Sequence, residues 1–564
     1  MPQSELRRDR VLSMLPAALS DSALEDILFS SKAELERQDA ETLVVSVTPD
    51  RLDLLSEGGL ALYLQGAMGA AKGIPPRKAF DAPSPAPVID ADPSVHSVRP
   101  AIAAMLVRAP TDAGLDAGTL AEAVRFQEVL HATVGRDRRA ASLGIYPYDR
   151  LSAPFGYALE PLSAVRFVPL DGSEELGAEE FFRDHPMALR YGSLGRRENS
   201  CLTIRDARGT VLSLPPILNG RTGGEAREGD RTLLLESTGS RMRPVRESLG
   251  LLSVVFLSRG WSVCPVAVRG GEGSSTDEEG EIATRKVDLP SATLHSLSGT
   301  QYPAGEVESR LARARLTVHL HPGGWRVEVP SWRPDLLTAV DLAEDVILAQ
   351  AIRAEDGIVP PSSTRGRRRG ETVFRRRFAT ALLGLGFAAP FTSLLVSETS
   401  VERIPGADPI RLSNPPSAEF AFVRDRLLLS QMEILSHNTR RGYPQKVAEV
   451  APVVVRAPSA ESGAETRYHA GAVIAGETAG FADAASLIDY LLRTVDIIGV
   501  REPVELPGTI PGRAARVRVA GEVVAELGEI RPEVLVGIGV PVPVAWAELD
   551  LAVLAPLAGR RDRD

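Results

Sequence analysis

Four carboxylates crowd one short stretch of this chain. In VPSWRPDLLTAVDLAEDV, Asp341, Glu344 and Asp345 stand at i, i+3 and i+4 of an expected helix, and Asp335 lies just before its start. Hard oxygen donors on one helical face could hold Mg²⁺. The same acids have a second reading: Thr338 with Asp341 makes a capping-box-like helix start, and carboxylates in a first turn complement the helix dipole without any metal. His319-Leu320-His321 alternates as a strand does just before Pro322, and without a third ligand it reads as structural. Arginines cluster at Arg365, Arg367, Arg368 and Arg369, and again at Arg375, Arg376 and Arg377. Such a run either meets RNA phosphates or forms a solvated helix lead-in.

The usual catalytic strings are missing. The chain contains no Walker loop, no nucleophile elbow, no zinc-protease helix, and no glycine fingerprint between a strand and a helix. Gly537-Ile538-Gly539 is too short to count. Cys201 and Cys264 are the only two cysteines, too few for a disulfide framework, and read as small buried hydrophobes suited to a reducing compartment.

The elements that must position these residues belong to several domains. A chain of 564 residues divides into three or four globular units at roughly 150 residues each. With 44% apolar and 24% charged residues it can bury real cores, which excludes disordered and collagen-like structure. The net charge of −10, from 64 basic and 74 acidic residues, argues against a DNA-coating protein, so any nucleic acid must be met by a local basic face. The longest apolar stretches, such as Leu249 to Leu257, are too short to span a membrane, and no charged-then-apolar leader opens the chain. A cytoplasmic location is expected.

The pattern predicts a helix after the Ser20 and Asp21 cap region, a strand around Leu43 to Val47, and a helix from about Asp50 to Gly69. Ile74 to Pro93, rich in proline, reads as extended linker. From about Ser97 to Asp288 helices such as Leu120 to Val134 mix with short strands. A hairpin joins Cys201–Arg205 to Val211–Leu214 through Asp206-Ala207-Arg208-Gly209. A helix from Arg243 to Gly260 then leads to one strand, Trp261 to Val268, and Gly270 to Gly280 reads as a solvated loop. Helix 304–314, hairpin 316–329 and helix 340–352 follow, and a last part opens with a helix around Phe374 to Leu385 and ends in several strands. The fold class is α+β, multidomain, with no internal repeat.

Several segments together resemble the beta subunit of phenylalanyl-tRNA synthetase, in its short archaeal and eukaryotic-cytosolic type. VTPDRLDLLSEGGLA is similar to the N-terminal signature of that family. LHATVGRDRRAASLGIYPYD, SAPFGYALEPLSAVRFVPL, VLSLPPILNG and LLLESTGS resemble its editing module in the same order, and VPSWRPDLLTAVDLAEDV resembles the module that follows. IRLSNPPSAEFAFVRDRLLLS, YPQKVAEVAPVV and TIPGRAARVRVAGEVVAELGEIRPEVL resemble its catalytic-like domain.

The resemblance implies an N-terminal α/β domain (1–74), an editing domain (94–288), a small acidic-helix domain (289–359) and an inactive class II synthetase-like antiparallel sheet domain (360–560). It implies an alpha subunit that joins phenylalanine to tRNA(Phe) using ATP, in an assembly of two alpha and two beta chains. This chain would hydrolyse tyrosine wrongly attached to that tRNA. Glu236 is then expected to meet the phenolic hydroxyl, with Ser213, Asn219 and Thr238 lining the pocket and Ile204 forming part of its wall. Local chemistry offers a plainer account of each polar residue: Ser213 sits near a hairpin end, Asn219-Gly220 is a turn signal, and Thr238-Gly239 is a strand exit. The resemblance also favours Mg²⁺ at Asp335, Asp341, Glu344 and Asp345, in a structural role. A departure stands after the acidic helix, where AIRAEDGIVP replaces the usual Gly-Tyr-Asn-like turn. The other reading is a paralogue that acts as a stand-alone deacylase or as a non-catalytic binding protein.

Overall fold

The computed structural model describes residues 2–76, 79–84, 86–110, 112, 114–270, 284–349, 364 and 366–558. The loop expected at Gly270 to Gly280, the turn AIRAEDGIVP and Arg365 lie wholly or almost wholly outside them. Contacts divide the chain into two compact units, Met1–Ile358 and Val359–Asp564. The result is a mixed α/β chain with several sheets.

In the first unit, Thr42–Val47 is the middle strand of an antiparallel sheet, flanked by Gln3–Arg7 and Ala33–Gln38. Ser20 caps the helix Asp21–Phe29 by accepting from the Ala23 N–H. The helix expected from Asp50 begins later. A 3₁₀ turn, Leu52–Leu55, comes first, and Ser56 then caps Glu57–Ala67 by accepting from the Gly59 N–H at 3.0 Å. Gly66 is required there, because a Cβ would stand 2.0 Å from the Arg313 carbonyl oxygen.

Two sheets pack face to face in the middle of this unit. The first runs Ser262–Pro265, Ala101–Arg108, Thr232–Gly239, Ala141–Pro147, all antiparallel. The second runs Leu218–Asn219, Val211–Leu214, Ser200–Arg205, Phe155–Pro161, Val88–Ala91, Ala267–Arg269, with Arg196–Arg197 paired beside Ser200–Arg205. Val88–Ala91 falls inside the stretch read as linker, and it is a buried strand paired in parallel with Phe155–Pro161. The single strand expected from Trp261 to Val268 is two strands in different sheets, separated at Val266.

Side chains alternate across the first sheet as the pleat demands. Ile102, Ala104, Leu106, Tyr146 and Leu234 face the second sheet and pack with Phe155, Tyr157, Leu202 and Ile204. Ala103, Met105, Val107, Leu233 and Leu235 join the opposite core, which includes Leu249 and Leu252 of helix Met242–Leu257 and Phe126 and Leu130 of helix Ala117–Ala132. The unit ends with a three-stranded sheet of Arg285–Pro290, Gly324–Val329 and Thr317–His321, packed on helices Ser291–Ser298, Ala304–Arg313 and Ala339–Leu348.

The second unit is built on a six-stranded antiparallel sheet in the order Gln445–Arg456, Ala464–Ala475, Val544–Asp550, Glu522–Ile530, Thr509–Val519, Val500–Pro503. One face carries helices Gly370–Gly384, Phe481–Arg493 and Leu551–Ala558, and the other carries Leu428–His437 and Pro532–Ile538.

Candidate functional site

A cavity of about 200 Å³ opens between the two packed sheets, lined by Ser142, Tyr146, Ser213, Asn219 and Glu236 and, on another part of its wall, by Glu128, His131 and Arg138. Ser213 and Asn219 are cross-strand partners at the edge of the second sheet. Glu236 comes from the first sheet, opposite Gly144. The Tyr146 hydroxyl lies 2.9 Å from Ser213 Oγ and 3.1 Å from Glu236 Oε1, while Glu236 Oε2 is buried with no hydrogen-bond partner. Burial pushes the Glu236 carboxyl up to about 8, against the opposing pull of Tyr146 and of the Arg99 charge. At neutral pH the group is therefore mostly a neutral acid, able to donate one hydrogen bond and accept others.

Thr238 and Ile204 stand elsewhere than expected. Thr238 is fully buried and does not line the cavity. Its Oγ1 accepts from Arg99 Nε at 3.1 Å and lies 3.1 Å from the hydroxyl of Ser142, which does line it. Ile204 pairs with Ser213 but packs in the core between the sheets. Arg99 lies outside the segments that resemble the family, and Ser142, His131, Arg138 and Tyr146 fall inside LHATVGRDRRAASLGIYPYD without a role assigned to them. Gly144 was the available signal, since glycine inside a strand marks close approach: a Cβ there would meet the Tyr146 hydroxyl at 2.2 Å.

Other groups around the cavity are already engaged. His131 Nε2 accepts the Leu143 N–H at 2.9 Å, so the ring proton sits on Nδ1, 3.2 Å from Glu128 Oε1. Burial holds this imidazole below its usual range. Arg138 donates to the Pro216 and Ile217 carbonyls and to Glu128. Arg99 is 2% exposed and donates to neutral oxygens, those of Thr238 and Ser142 among them, so burial lowers it to about 10.

The four acids proposed for Mg²⁺ do not converge, which corrects the reading from spacing. Arg333, buried, donates to Asp335 at 2.7 Å and to Asp345 at 3.0 Å. Asp341 turns back to accept the Leu337 and Thr338 N–H groups, and Glu344 pairs with Lys32 at 2.6 Å. Among the described residues no group of three or more His, Cys, Asp or Glu is placed to hold a metal ion. Cations and backbone donors already occupy these oxygens, so the residues present do not fit Mg²⁺. His319 pairs with Glu328 at 3.1 Å. Arg367, Arg368, Arg369, Arg376 and Arg377 are exposed, and Arg375 lies over the Tyr468 ring at 3.5 Å.

The sheet of the second unit buries charge differently. Arg424, 1% exposed, donates to Ser430 Oγ at 2.9 Å and to Glu449 at 3.3 Å, and Glu449 also accepts the Thr392 N–H. Glu548 accepts the Leu427 and Leu428 N–H groups and pairs with His469 at 2.7 Å. Burial would raise the Glu548 carboxyl, but His469 and these donors hold it below its usual range. Two cavities of this unit are small, about 130 and 150 Å³.

Comparison with known proteins agrees with this architecture. Residues 358–551 match the family model described as the phenylalanyl tRNA synthetase beta chain CLM domain, and residues 287–350 match the tRNA synthetase B5 domain. These matches and the sheet architecture define the class as an aminoacyl-tRNA synthetase subunit, a ligase component. The phenylalanine–tRNA ligase beta subunit of Korarchaeum cryptofilum is 30% identical over 555 residues, covering 96% of this chain and 97% of the relative. That of Pyrococcus horikoshii is 26% identical over 98% of this chain and 100% of its own length. The chain belongs to the family of phenylalanine–tRNA ligase beta subunits. Its fold is also that of a solved N-terminal fragment of the Pyrococcus horikoshii beta subunit, with a TM-score of 0.57 and 24% identity over 62% of this chain and 99% of the fragment. Among the described residues no helix is long and apolar enough to cross a membrane.

Proposed function

We propose that this chain frames a phenylalanine–tRNA ligase and carries its proofreading pocket, the cavity between the two sheets, where tyrosine wrongly joined to tRNA(Phe) is hydrolysed. One observation carries the reading: the buried Glu236 carboxyl keeps one oxygen without a partner, in the lining of a cavity of about 200 Å³. An apolar cavity of about 150 Å³ already holds a benzene ring. An unpaired buried polar group costs on the order of 1–3 kcal/mol. A phenolic hydroxyl that reaches Glu236 recovers that cost, and a phenyl ring leaves it in place, so the pocket accepts tyrosine and rejects phenylalanine.

Hydrolysis of an aminoacyl ester needs a placed water more than a strong nucleophile. Ser213, Asn219 and Ser142 supply hydroxyl and amide groups around the cavity to hold the water and the ester carbonyl. His131 has its Nε2 lone pair committed to the backbone and does not serve as the base. Thr238 acts from behind, through Ser142.

The ATP-dependent step, and the Mg²⁺ that serves it, belong to an alpha subunit. Two alpha and two beta chains assemble in the cytoplasm and bind tRNA(Phe), with exposed arginines such as Arg368 and Arg376 available to its phosphates. The working parts are an N-terminal α/β part, the two-sheet proofreading part that takes in Val88–Ala91, a small part that opens with the strand Arg285–Pro290, and a class II synthetase-like part. In the assembled enzyme, Glu236→Ala is expected to lower Tyr-tRNA(Phe) deacylation at least tenfold while phenylalanine attachment is unchanged. Deacylation at the wild-type rate would refute the pocket.

A further inference from the structure

The Tyr146 phenol has one hydrogen and two oxygen neighbours, Ser213 Oγ at 2.9 Å and Glu236 Oε1 at 3.1 Å. It can donate to only one of them, so the other must donate to it. Either Ser213 donates to Tyr146 and Tyr146 to Glu236, or a protonated Glu236 donates to Tyr146 and Tyr146 to Ser213. In both arrangements Oε1 is taken up inside the protein and Oε2 alone is left over. The phenol is closely packed on the side of Gly144. Tyr146 is fully buried between the sheets, and Gly144 lies so close beneath its hydroxyl that any Cβ there would collide with it. The internal phenol also demonstrates that this carboxyl pairs with the group a tyrosine ligand would bring.

We infer that Tyr146 is a positioning residue of the pocket: by bridging Ser213 and Glu236 it locks one carboxyl oxygen inside the protein, so that the other, held in a single orientation, reads the hydroxyl of the ligand. This rests on the proofreading reading given above. Without the bridge both oxygens of Glu236 lack partners and the carboxyl is free to turn. A tyrosyl ligand then loses a fixed partner, whereas a phenylalanyl ligand loses nothing.

The test is the ratio of Tyr-tRNA(Phe) to Phe-tRNA(Phe) deacylation by the assembled enzyme. Tyr146→Phe is expected to lower that ratio roughly tenfold, through a fall in kcat/KM for the tyrosyl substrate alone. Ser213→Ala, which removes the other anchor of the phenol, lowers it in the same direction by less. A wild-type ratio in Y146F, or an equal loss on both substrates, overturns the role of Tyr146 when Glu236→Ala still abolishes Tyr-tRNA(Phe) deacylation. Unchanged deacylation in E236A overturns the pocket and this inference together. Should Y146F fail to assemble, the ratio measured in Tyr146→Leu, which also removes the phenolic hydroxyl, decides by the same criteria.

Discussion

Glu236 and Glu548 are both buried carboxyls on central strands of antiparallel sheets, and their surroundings are opposite. Glu548 meets two backbone N–H groups and His469, and is held below its usual range, charged. Glu236 has a phenol on one oxygen and nothing on the other, and burial drives it up to about 8. The first arrangement is self-sufficient, since the Glu548 charge is answered by His469 and by backbone donors at the start of helix Leu428–His437. The second leaves a demand beside a cavity, which a ligand can answer. Both oxygens of Glu548 are engaged by neighbouring groups, while Glu236 keeps one oxygen unengaged beside a cavity.

The contrast can be broken at its strongest point by Arg424→Met. This change leaves Glu449 buried without its cation, and is expected to destabilise the second unit by about 3–5 kcal/mol, as for other broken buried pairs, read by denaturant unfolding. A loss under about 1 kcal/mol would remove the claim that Arg424 answers the Glu449 charge.

A titration sharpens the comparison. Glu236 has a folded pKa above its unfolded value, so ionising it costs stability progressively between about 4.5 and about 8. Glu236→Gln should remove that cost, and its melting temperature relative to wild type should climb across this window. Glu548, held low, contributes stability above about 4.5 that is lost as the pH falls through its folded value. Glu548→Gln should therefore lose most near neutrality and approach wild type on acidification. Parallel curves for the two variants would contradict the opposite assignments.

The smallest effect concerns the acidic helix. With Arg333 and Lys32 answering its carboxylates, added Mg²⁺ or a chelator should leave the melting temperature of the isolated chain unchanged. A rise that grows with Mg²⁺ concentration would mean a site that binds the native state.

Local features were legible in the sequence. Ser20 announced its helix, and the hairpin from Cys201 to Leu214 followed from alternation and a turn with Gly209 at φ +83°. The strand pair after Trp261 was not legible as two, because a change of sheet at Val266 depends on what lies on either side. The acids at 335–345 had the spacing of a metal site, but spacing says nothing of Lys32, which comes from a segment 312 residues away to pair with Glu344. Arg333, two residues before Asp335, was the nearer warning.

Alternation, capping and turn chemistry are short-range, and so much of the order of elements could be read from the chain alone, while the family and the candidacy of Glu236, Ser213 and Asn219 came from the resemblance of whole segments. The meeting of Tyr146 with Glu236 across 90 residues, and with Ser213 across 67, could be read in neither way. It depends on the stacking of two sheets whose strands interleave along the chain. Burial at that interface is also what makes one unpartnered oxygen matter, because the same carboxyl in water would satisfy itself with solvent.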